Sequence, residues 1–196
     1  MAESPRTTAL YTDLVELGRT LYEKALVRRE DELITDPHGQ PIGWLLDTRM
    51  PMLEGEVFRE VGRVLAERLR AKDIEQVAGF GFGSYAMICA VMSAPSSPPF
   101  NGGFVRERRK PHGRRRLVEG PLDRSKPVVL LDDIINSGRS ATKALSLLRG
   151  DGFNVVGMMT LFNFTWSGGR ARLEAQGIWV DSILDLNLRE NGRSKS

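Results

Sequence analysis

The chain has 196 residues, a formal net charge of +3, 41% hydrophobic residues and one cysteine, Cys89. This composition is typical of a globular protein with one sizeable core and excludes fibrous and disordered classes. A single cysteine excludes a disulfide framework and a paired-cysteine metal site, which favours a reducing compartment. We find no secretory leader and no apolar run of the roughly 18 residues that a membrane span needs. We therefore expect a soluble, cytoplasmic protein with no membrane partner.

The first third of the chain contains two stretches with helical periodicity. Apolar residues recur at helical intervals over residues 10–26 and again over residues 55–70, which predicts two amphipathic helices. Between them, residues 34–47 contain two prolines and two glycines and end in a short β-like run. This punctuation indicates a small hood or flap between the two helices.

Strand-like and helix-like segments alternate from residue 74 onward. Strands are predicted at residues 74–80, 103–106, 128–132, 153–162 and 178–184, and helices at residues 84–94, 140–149 and 169–176. This alternation predicts parallel strands joined by crossover helices. The continuous apolar run of residues 128–131 fits a strand that is covered on both faces. The sequence therefore predicts an α/β fold with a central, mainly parallel sheet flanked by helices.

This organisation divides the chain into three predicted parts. We predict an N-terminal helix and hood over residues 1–50, a core over residues 51–190 and a polar tail over residues 191–196. The core contains every alternating strand and helix, so the main ligand site is expected there.

Two adjacent carboxylates, Asp132 and Asp133, follow the apolar run directly. A short polar loop then leads into the next predicted helix and consists of Asn136, Ser137, Gly138, Arg139 and Ser140. Backbone N–H groups of such a loop bind a phosphate, helped by the positive amino end of the helix. We therefore call residues 136–140 the phosphate loop. Carboxylates accept hydrogen bonds from vicinal hydroxyls or approach a hydrated Mg²⁺. An isolated Asp-Asp pair is more often a helix cap, but the whole set favours a site for a phosphorylated ribose and a divalent cation.

Residues 128–140, Val-Val-Leu-Leu-Asp-Asp-Ile-Ile-Asn-Ser-Gly-Arg-Ser, resemble the phosphoribosyl pyrophosphate signature of type I phosphoribosyltransferases. In that family the two acids contact the ribose hydroxyls and the following loop wraps the 5′-phosphate. The resemblance implies the first role for Asp132 and Asp133 and the second for residues 136–140. It also implies a type I phosphoribosyltransferase-like fold with a small N-terminal hood. Arg139 departs from the family pattern, because this position is usually small.

Residues 106–116 hold six arginines, one lysine and one histidine against a single glutamate, and such a patch attracts an anion. With the preceding aromatic residue, they resemble the catalytic loop of orotate phosphoribosyltransferases, although Glu107 stands where a lysine is expected. The resemblance implies that Arg106 and Lys110 neutralise departing pyrophosphate while His112 hydrogen-bonds it. It also implies a homodimer in which the loop reaches the neighbouring site. Taken alone, the cluster fits a solvated basic run or a nucleic-acid patch equally well.

A glycine-rich turn, Gly-Phe-Gly-Phe-Gly-Ser at residues 79–84, ends one predicted strand and opens the next helix. Its N–H groups suit a pyrophosphate, and the resemblance implies this role above all for Gly83 and Ser84. The alternative is that these glycines only allow a tight turn.

The acceptor base is the least defined part of the prediction. Orotate enzymes of the family hold their acidic base with cationic hood residues and with an arginine after the strand that follows the phosphate loop. Here the hood lacks those cations, and the arginine position falls near Asn163 or Phe164 unless Arg170 substitutes for it. His38 and Trp44 are the candidates for contacting the base, against the alternatives of a surface histidine and a core tryptophan. A different base, apolar or aromatic, remains open.

The sequence thus predicts a Mg²⁺-dependent enzyme that moves 5-phosphoribosyl from phosphoribosyl pyrophosphate to a nitrogenous base. It resembles orotate phosphoribosyltransferase in this respect, with a base that need not be orotate. The alternative from another class is a non-catalytic regulator that senses phosphoribosyl pyrophosphate and binds nucleic acid through residues 106–116, the arginine loop. A third hypothesis is a transferase with an unusual acceptor in a biosynthetic or defence pathway.

Overall fold

The computed structural model describes residues 5–36, 38–109 and 116–187. In chain order the elements are α1 (Pro5–Ala25), β1 (Leu26–Arg28), β2 (Trp44–Leu46), α2 (Arg49–Met52), α3 (Gly55–Arg70), β3 (Gln76–Phe80), α4 (Phe82–Ser93), β4 (Asn101–Val105), β5 (Val118–Glu119), β6 (Pro127–Ile135), α5 (Arg139–Gly150), β7 (Asn154–Phe164), a 3-10 turn (Thr165–Ser167), α6 (Gly169–Glu174) and β8 (Trp179–Leu186). Within the described ranges, no helix combines the length and apolar character needed to cross a bilayer.

The described residues form a central sheet of six strands in the order β5-β4-β3-β6-β7-β8. Every neighbouring pair is parallel except β5, which runs antiparallel to β4. The predicted α/β architecture with a mainly parallel sheet is therefore confirmed. Strand β6 lies in the middle, and its apolar residues 128–131 are at most 1% exposed because helices cover both faces of the sheet.

The two faces of the sheet are covered by different helices. Helices α1, α3 and α4 pack on one face and share one apolar core. Helices α5 and α6 pack on the other. Helix α3 has the bounds predicted from its periodicity, and Val57, Val61, Leu65 and Leu69, four residues apart, form its buried side.

The hood is a small antiparallel hairpin beside this sheet. Strand β1 pairs with β2, and an isolated bridge joins Thr35 to Pro41. Sequence periodicity placed Leu26 in the first helix, but α1 ends at Ala25 and Leu26 begins β1. The backbone N–H of Asp47 donates to the carbonyl of Ala25 at 2.7 Å, which holds the end of β2 against the end of α1.

Strand β6 is longer than predicted. Its predicted end was residue 132, but it continues to Ile135, so the paired carboxylates lie inside the strand and not after it. The extension pairs Ile134 with Phe162 of β7, and Ile135 is 1% exposed in the core beneath α5. Two consecutive β-branched residues with a paired neighbour favour continuation of the strand.

Candidate active site at the carboxyl ends of strands β3 and β6

A cavity of about 270 Å³ opens at the carboxyl ends of β3 and β6, the edge at which parallel sheets bind ligands. Its lining brings together three predicted features: the paired carboxylates, the phosphate loop and the glycine turn. The lining residues are Phe80, Gly81, Gly83 and the whole segment of residues 132–141. Segments about 50 residues apart in sequence thus form one concave surface.

The two carboxylates are held in different ways. The backbone N–H of Asp133 donates to Oδ1 of Asp132 at 3.1 Å, and that of Ile134 donates to Oδ1 of Asp133 at 3.0 Å. The hydroxyl of Thr48, at the end of the hood, donates to the other oxygen of Asp133. Burial, and secondarily the neighbouring Asp133 carboxylate, raises the pKa of Asp132 to about 8.

The same two carboxylates are the candidate ligands for Mg²⁺. Among the described residues, no group of three or more His, Cys, Asp or Glu side chains forms a metal cage. Mg²⁺ often keeps several waters and takes one or two carboxylates together with phosphate oxygens of a substrate. A pair of adjacent aspartates beside a phosphate loop fits that mode, so Asp132 and Asp133 are the residues that could hold Mg²⁺.

The phosphate loop ends at the amino terminus of α5, which no side chain of the described residues caps. Gly138 adopts a left-handed conformation with φ of +72° and serves as the N-cap of α5 without a side-chain hydrogen bond. The N–H groups of the first helical turn, which begins with Arg139 and Ser140, therefore remain for a ligand. The side chains of these two residues are exposed.

Helix α6 and the turn before it brace the outer side of this loop. The hydroxyl of Ser167 donates to the carbonyl of Asn136 at 2.5 Å, and the guanidinium of Arg172 donates to the carbonyl of Ser137. A Cβ at Gly169 would lie 2.0 Å from the carbonyl oxygen of Asn136, so only glycine allows this approach. The loop carbonyls thus point to α6, which leaves the N–H groups on the cavity side.

The glycine turn lies directly against the carboxylates. A Cβ at Gly83 would lie 2.4 Å from the carboxyl carbon of Asp133, and Gly81 has a φ of +84°. Ser84 is fully buried, and its hydroxyl donates to the carbonyl of Gly81 at 2.8 Å. The structure therefore commits the Ser84 hydroxyl to the turn, and its backbone N–H is the group left for a ligand.

The arginine loop is described only at its two ends. Lys110 and His112 lie outside the described residues. Arg106 lies 3.8 Å from the Glu119 carboxylate, and its buried Nε has no hydrogen-bond partner among the described residues. Glu107, which replaces the expected lysine, forms an ion pair with Lys143 of α5 at 2.8 Å.

A second, larger cavity of about 650 Å³ separates this loop from the glycine turn. It is lined by Phe80, Gly81, Phe82, Tyr85, Val105, Arg106, Glu107 and Arg108. Phe80 and Gly81 line both cavities, so the smaller cavity and the start of the arginine loop meet at the glycine turn.

The predicted base contacts lie on the hood side. Trp44 meets Phe164 edge-on, with ring centroids 6.0 Å apart, whereas His38 is exposed in the hood hairpin. Arg170, the suggested substitute for the family arginine, donates to Ser182 at 2.8 Å and to Asp185 at 2.9 Å. The structure thus brings Trp44 into contact with Phe164, one of the two residues near which the family arginine was expected, and holds Arg170 in an ion pair.

Four residues that position the site were not found from the sequence: Thr48, Ser167, Gly169 and Arg172. Thr48 precedes α2 and carries only the ordinary signal of a helix N-cap. The other three belong to a turn and a short helix, and no local pattern links them to the phosphate loop.

Comparison with known proteins agrees with this geometry. No protein-family model matches the chain. It is 30% identical to orotate phosphoribosyltransferase of Corynebacterium glutamicum over 172 residues, which cover 88% of this chain and 91% of that protein. Its structure is similar to the Mycobacterium tuberculosis orotate phosphoribosyltransferase solved with Fe(III) dicitrate, with a TM-score of 0.77 and 28% identity over 89% of this chain and 97% of that one.

The Mycobacterium tuberculosis enzyme has also been solved in complex with phosphoribosyl pyrophosphate. That structure has a TM-score of 0.73 and 26% identity, covering 89% of this chain and 96% of the other. Sequence and structure therefore agree over nearly the whole length of both proteins. The chain belongs to the orotate phosphoribosyltransferase family and is a phosphoribosyltransferase with the type I fold.

Proposed function

We propose that this enzyme transfers the 5-phosphoribosyl group of phosphoribosyl pyrophosphate to a ring nitrogen of a nitrogenous base. One observation carries the proposal: paired carboxylates, the uncapped amino end of α5 and a glycine turn line a single cavity. Each of these groups suits one part of that donor. The structural neighbour solved with phosphoribosyl pyrophosphate supports the same choice of donor.

The ribose 5-phosphate half of the donor occupies the end of β6. The 5′-phosphate accepts hydrogen bonds from the backbone of the phosphate loop and from its hydroxyls, at Asn136, Ser137, Gly138, Arg139 and Ser140. Asp132 and Asp133 accept hydrogen bonds from the two ribose hydroxyls. The left-handed Gly138 and the bracing by α6 support this assignment because they hold the loop in place before the ligand arrives.

The pyrophosphate half lies at the glycine turn and the arginine loop. The backbone N–H groups of Gly83 and Ser84 bind it, and Arg106 adds the buried Nε donor that the described residues leave without a partner. Lys110 and His112, outside the described residues, take their roles from the family resemblance: the first neutralises developing charge and the second donates a hydrogen bond.

In the transfer, a ring nitrogen of the base forms a bond to ribose C1 while the bond from C1 to pyrophosphate breaks. The electron pair of the broken bond leaves with pyrophosphate, and the ring N–H proton passes to solvent. Positioning of the base and stabilisation of the leaving group supply the acceleration. Mg²⁺, when bound, would offset the negative charge of pyrophosphate, and Asp132 and Asp133 would help to hold it.

The proposal includes a homodimer whose arginine loop, residues 106–116, reaches the partner's site. Helix α4 supports it, because Phe82, Tyr85 and Met92 are 75%, 44% and 47% exposed on one side of the helix. Such apolar patches favour association. Phe82 and Tyr85 also line the larger cavity beside Arg106. A second copy packed on α4 would therefore lie next to the loop.

We further propose that the protein is cytoplasmic and that the three parts of its chain have different roles. Residues 1–50 supply the hood over the base, and residues 51–190 bind the phosphoribosyl donor. Residues 191–196, which lie outside the described residues, have no role in catalysis. The contact between Thr48 and Asp133 supports this division, because it joins the hood to the donor site.

The described part of the arginine loop does not support the regulator hypothesis. Arg109 forms an ion pair with Asp151 at 2.7 Å, and Glu107 pairs with Lys143. A nucleic-acid surface would instead present these basic groups to phosphates, with an affinity that falls steeply as salt rises.

The test is a calorimetric titration of phosphoribosyl pyrophosphate with and without Mg²⁺, followed by a pyrophosphate-release assay with a panel of bases. We expect Mg²⁺-dependent binding and release of pyrophosphate with at least one base. The Asp133→Asn variant should bind the donor at least tenfold more weakly. Donor binding that is unchanged in this variant would contradict the proposed site, and donor binding without release for any base would contradict the transfer.

A further inference from the structure

The hood and the end of β7 together place three aromatic rings beside the donor site. Thr48, two residues after β2, is bonded to Asp133, so the end of the hood lies at the carboxylates. Phe164 ends β7, and the hydroxyl of Ser167, three residues later, donates to the carbonyl of Asn136 in the phosphate loop. The aromatic cluster of Trp44, Phe164 and Trp166 is therefore joined to the donor site on two sides, through Thr48 at Asp133 and through Ser167 at the phosphate loop.

The geometry of the cluster suits a planar ring. Phe164 stacks on Trp166 with ring centroids 4.8 Å apart and an interplanar angle of 14°, whereas Trp44 meets Phe164 edge-on at 70°. Phe164 is 9% exposed, but Trp44 is 36% exposed and Trp166 is half-buried. The two tryptophans thus retain open ring surface onto which a heteroaromatic base can pack.

The charges around the cluster disfavour an anionic base. The guanidinium of Arg49 makes two hydrogen bonds of 2.7 Å with the Asp47 carboxylate, and Arg170 is paired with Asp185. The cavity itself contributes the carboxylate of Asp133. A carboxylate on the base would lose its water next to this acid. Arg49 and Arg170 already have anionic partners, although the buried Nε of Arg170 has no hydrogen-bond partner among the described residues.

We propose that the acceptor is an uncharged, planar heteroaromatic base without a carboxylate, which packs against Trp44 and Trp166 beside Asp133. This inference rests on the proposed phosphoribosyl transfer and names its substrate class. Trp44 and Trp166 supply stacking surface in place of a charged clamp. Specificity would then follow from ring shape and from the penalty of burying an unpaired carboxylate.

Matched pairs of bases that differ only in the carboxylate test this inference with the full-length enzyme. We would measure pyrophosphate release with orotate against uracil and with nicotinate against nicotinamide, together with adenine and hypoxanthine. We expect the best uncharged base to exceed both acids in kcat/KM by at least tenfold. If orotate or nicotinate is the best substrate, the inference is overturned while the transfer stands. If no base releases pyrophosphate, the proposed function itself is overturned, and the inference with it.

Product binding provides a readout that does not depend on turnover. We would titrate the enzyme with uridine 5′-monophosphate and orotidine 5′-monophosphate and follow tryptophan fluorescence. Uridine 5′-monophosphate, whose base is uncharged, should bind at least tenfold more tightly than orotidine 5′-monophosphate. Tighter binding of the carboxylated nucleotide would overturn the inference.

A matched pair of variants locates the base. In Trp44→Phe the fluorescence response to nucleotide should fall by half or more, and KM for the base should rise while KM for the donor stays unchanged. Trp179→Phe, which alters a tryptophan of β8 beside Gly157, should keep both properties. A Trp44→Phe variant with unchanged fluorescence response and unchanged KM for the base would overturn the assigned position.

Discussion

The hydroxyl of Thr48 donates a hydrogen bond to Oδ2 of Asp133 and thereby connects the hood to the central strand of the sheet. The two residues are 85 positions apart in sequence, and Thr48 is only 3% exposed. Asp133 also accepts a hydrogen bond from the backbone N–H of Ile134. The orientation of this carboxylate is therefore coupled to the position of the hood.

The Thr48→Val variant tests this coupling, since it removes the hydroxyl and keeps the shape of the side chain. We expect the free energy of unfolding to fall by about 1 to 2 kcal/mol, because a part-buried carboxylate oxygen loses its partner. We also expect KM for phosphoribosyl pyrophosphate to rise several-fold, measured by initial rates.

Thr35→Val is the control for this variant, because Thr35 is an exposed residue of the same hood. It should leave both quantities within experimental error. If Thr48→Val has the stability and KM of the unaltered enzyme, the bond does not position Asp133.

The raised pKa of Asp132 predicts a stability that depends on pH. In the folded protein this pKa is about 8, against 3.8 ordinarily, so between about pH 4 and pH 8 the folded state binds more protons than the unfolded chain. The contribution of Asp132 to the free energy of unfolding therefore falls as pH rises through this window, by at most about 1.4 kcal/mol per pH unit. Urea unfolding at pH 5 and pH 8 measures this difference.

The Asp132→Asn variant should flatten this pH dependence, because the amide does not titrate. Its stability relative to the unaltered enzyme should therefore increase from pH 5 to pH 8. An equally steep fall in both proteins would show that other groups cause it.

Gly83→Ala is expected to disturb the donor site more than the fold. Its Cβ would lie 2.4 Å from the Asp133 carboxylate, so that side chain must shift from its present position. We predict that affinity for phosphoribosyl pyrophosphate falls about tenfold or more, equivalent to about 1.4 kcal/mol or more, as measured by calorimetry.

Gly150→Ala is the matched control, since a Cβ at this position of α5 meets no atom of the described residues within 4 Å. It should keep the donor affinity and stabilise the helix by about 0.5 to 1 kcal/mol. Unchanged donor affinity in Gly83→Ala would show that the glycine turn does not take part in donor binding.

The apolar side of α4 predicts the dimer interface. Met92→Lys introduces a charge at a residue that is 47% exposed and lies on the same side of α4 as Phe82 and Tyr85. Because a buried unpaired charge opposes association, we expect dissociation to monomers in size-exclusion chromatography with light scattering.

Leu33→Lys places the same charge at a hood residue that is 79% exposed and lies outside α4. It should leave the dimer intact. A Met92→Lys protein that remains dimeric would rule out this side of α4 as the interface.

Fold class and family could be predicted from the sequence because their signals are local. Residues 55–70 repeat apolar side chains every three to four positions, and α3 has these bounds. The buried strand, the paired acids and the loop with Gly138 are contiguous, so one segment carries the donor signature. The assignment of individual roles to these residues stays a prediction until the variants above are measured.

Element ends were predicted less well, because neighbouring strands decide them. Strand β6 runs to Ile135 since Ile134 finds a partner in Phe162 of β7. Leu26 belongs to β1 because Leu46 pairs with it across the hood. Periodicity within a segment contains no information about such partners.

The sequence by itself determined the α/β class, the donor signature and the absence of the expected cationic hood residues, since each depends on residue types and short spacings. Only the tertiary structure decided that Thr48 reaches Asp133, that Ser167 braces the phosphate loop and that Trp44 meets Phe164. These contacts join segments far apart in the chain. They form when helices and strands pack into one core, which local propensity and spacing do not encode.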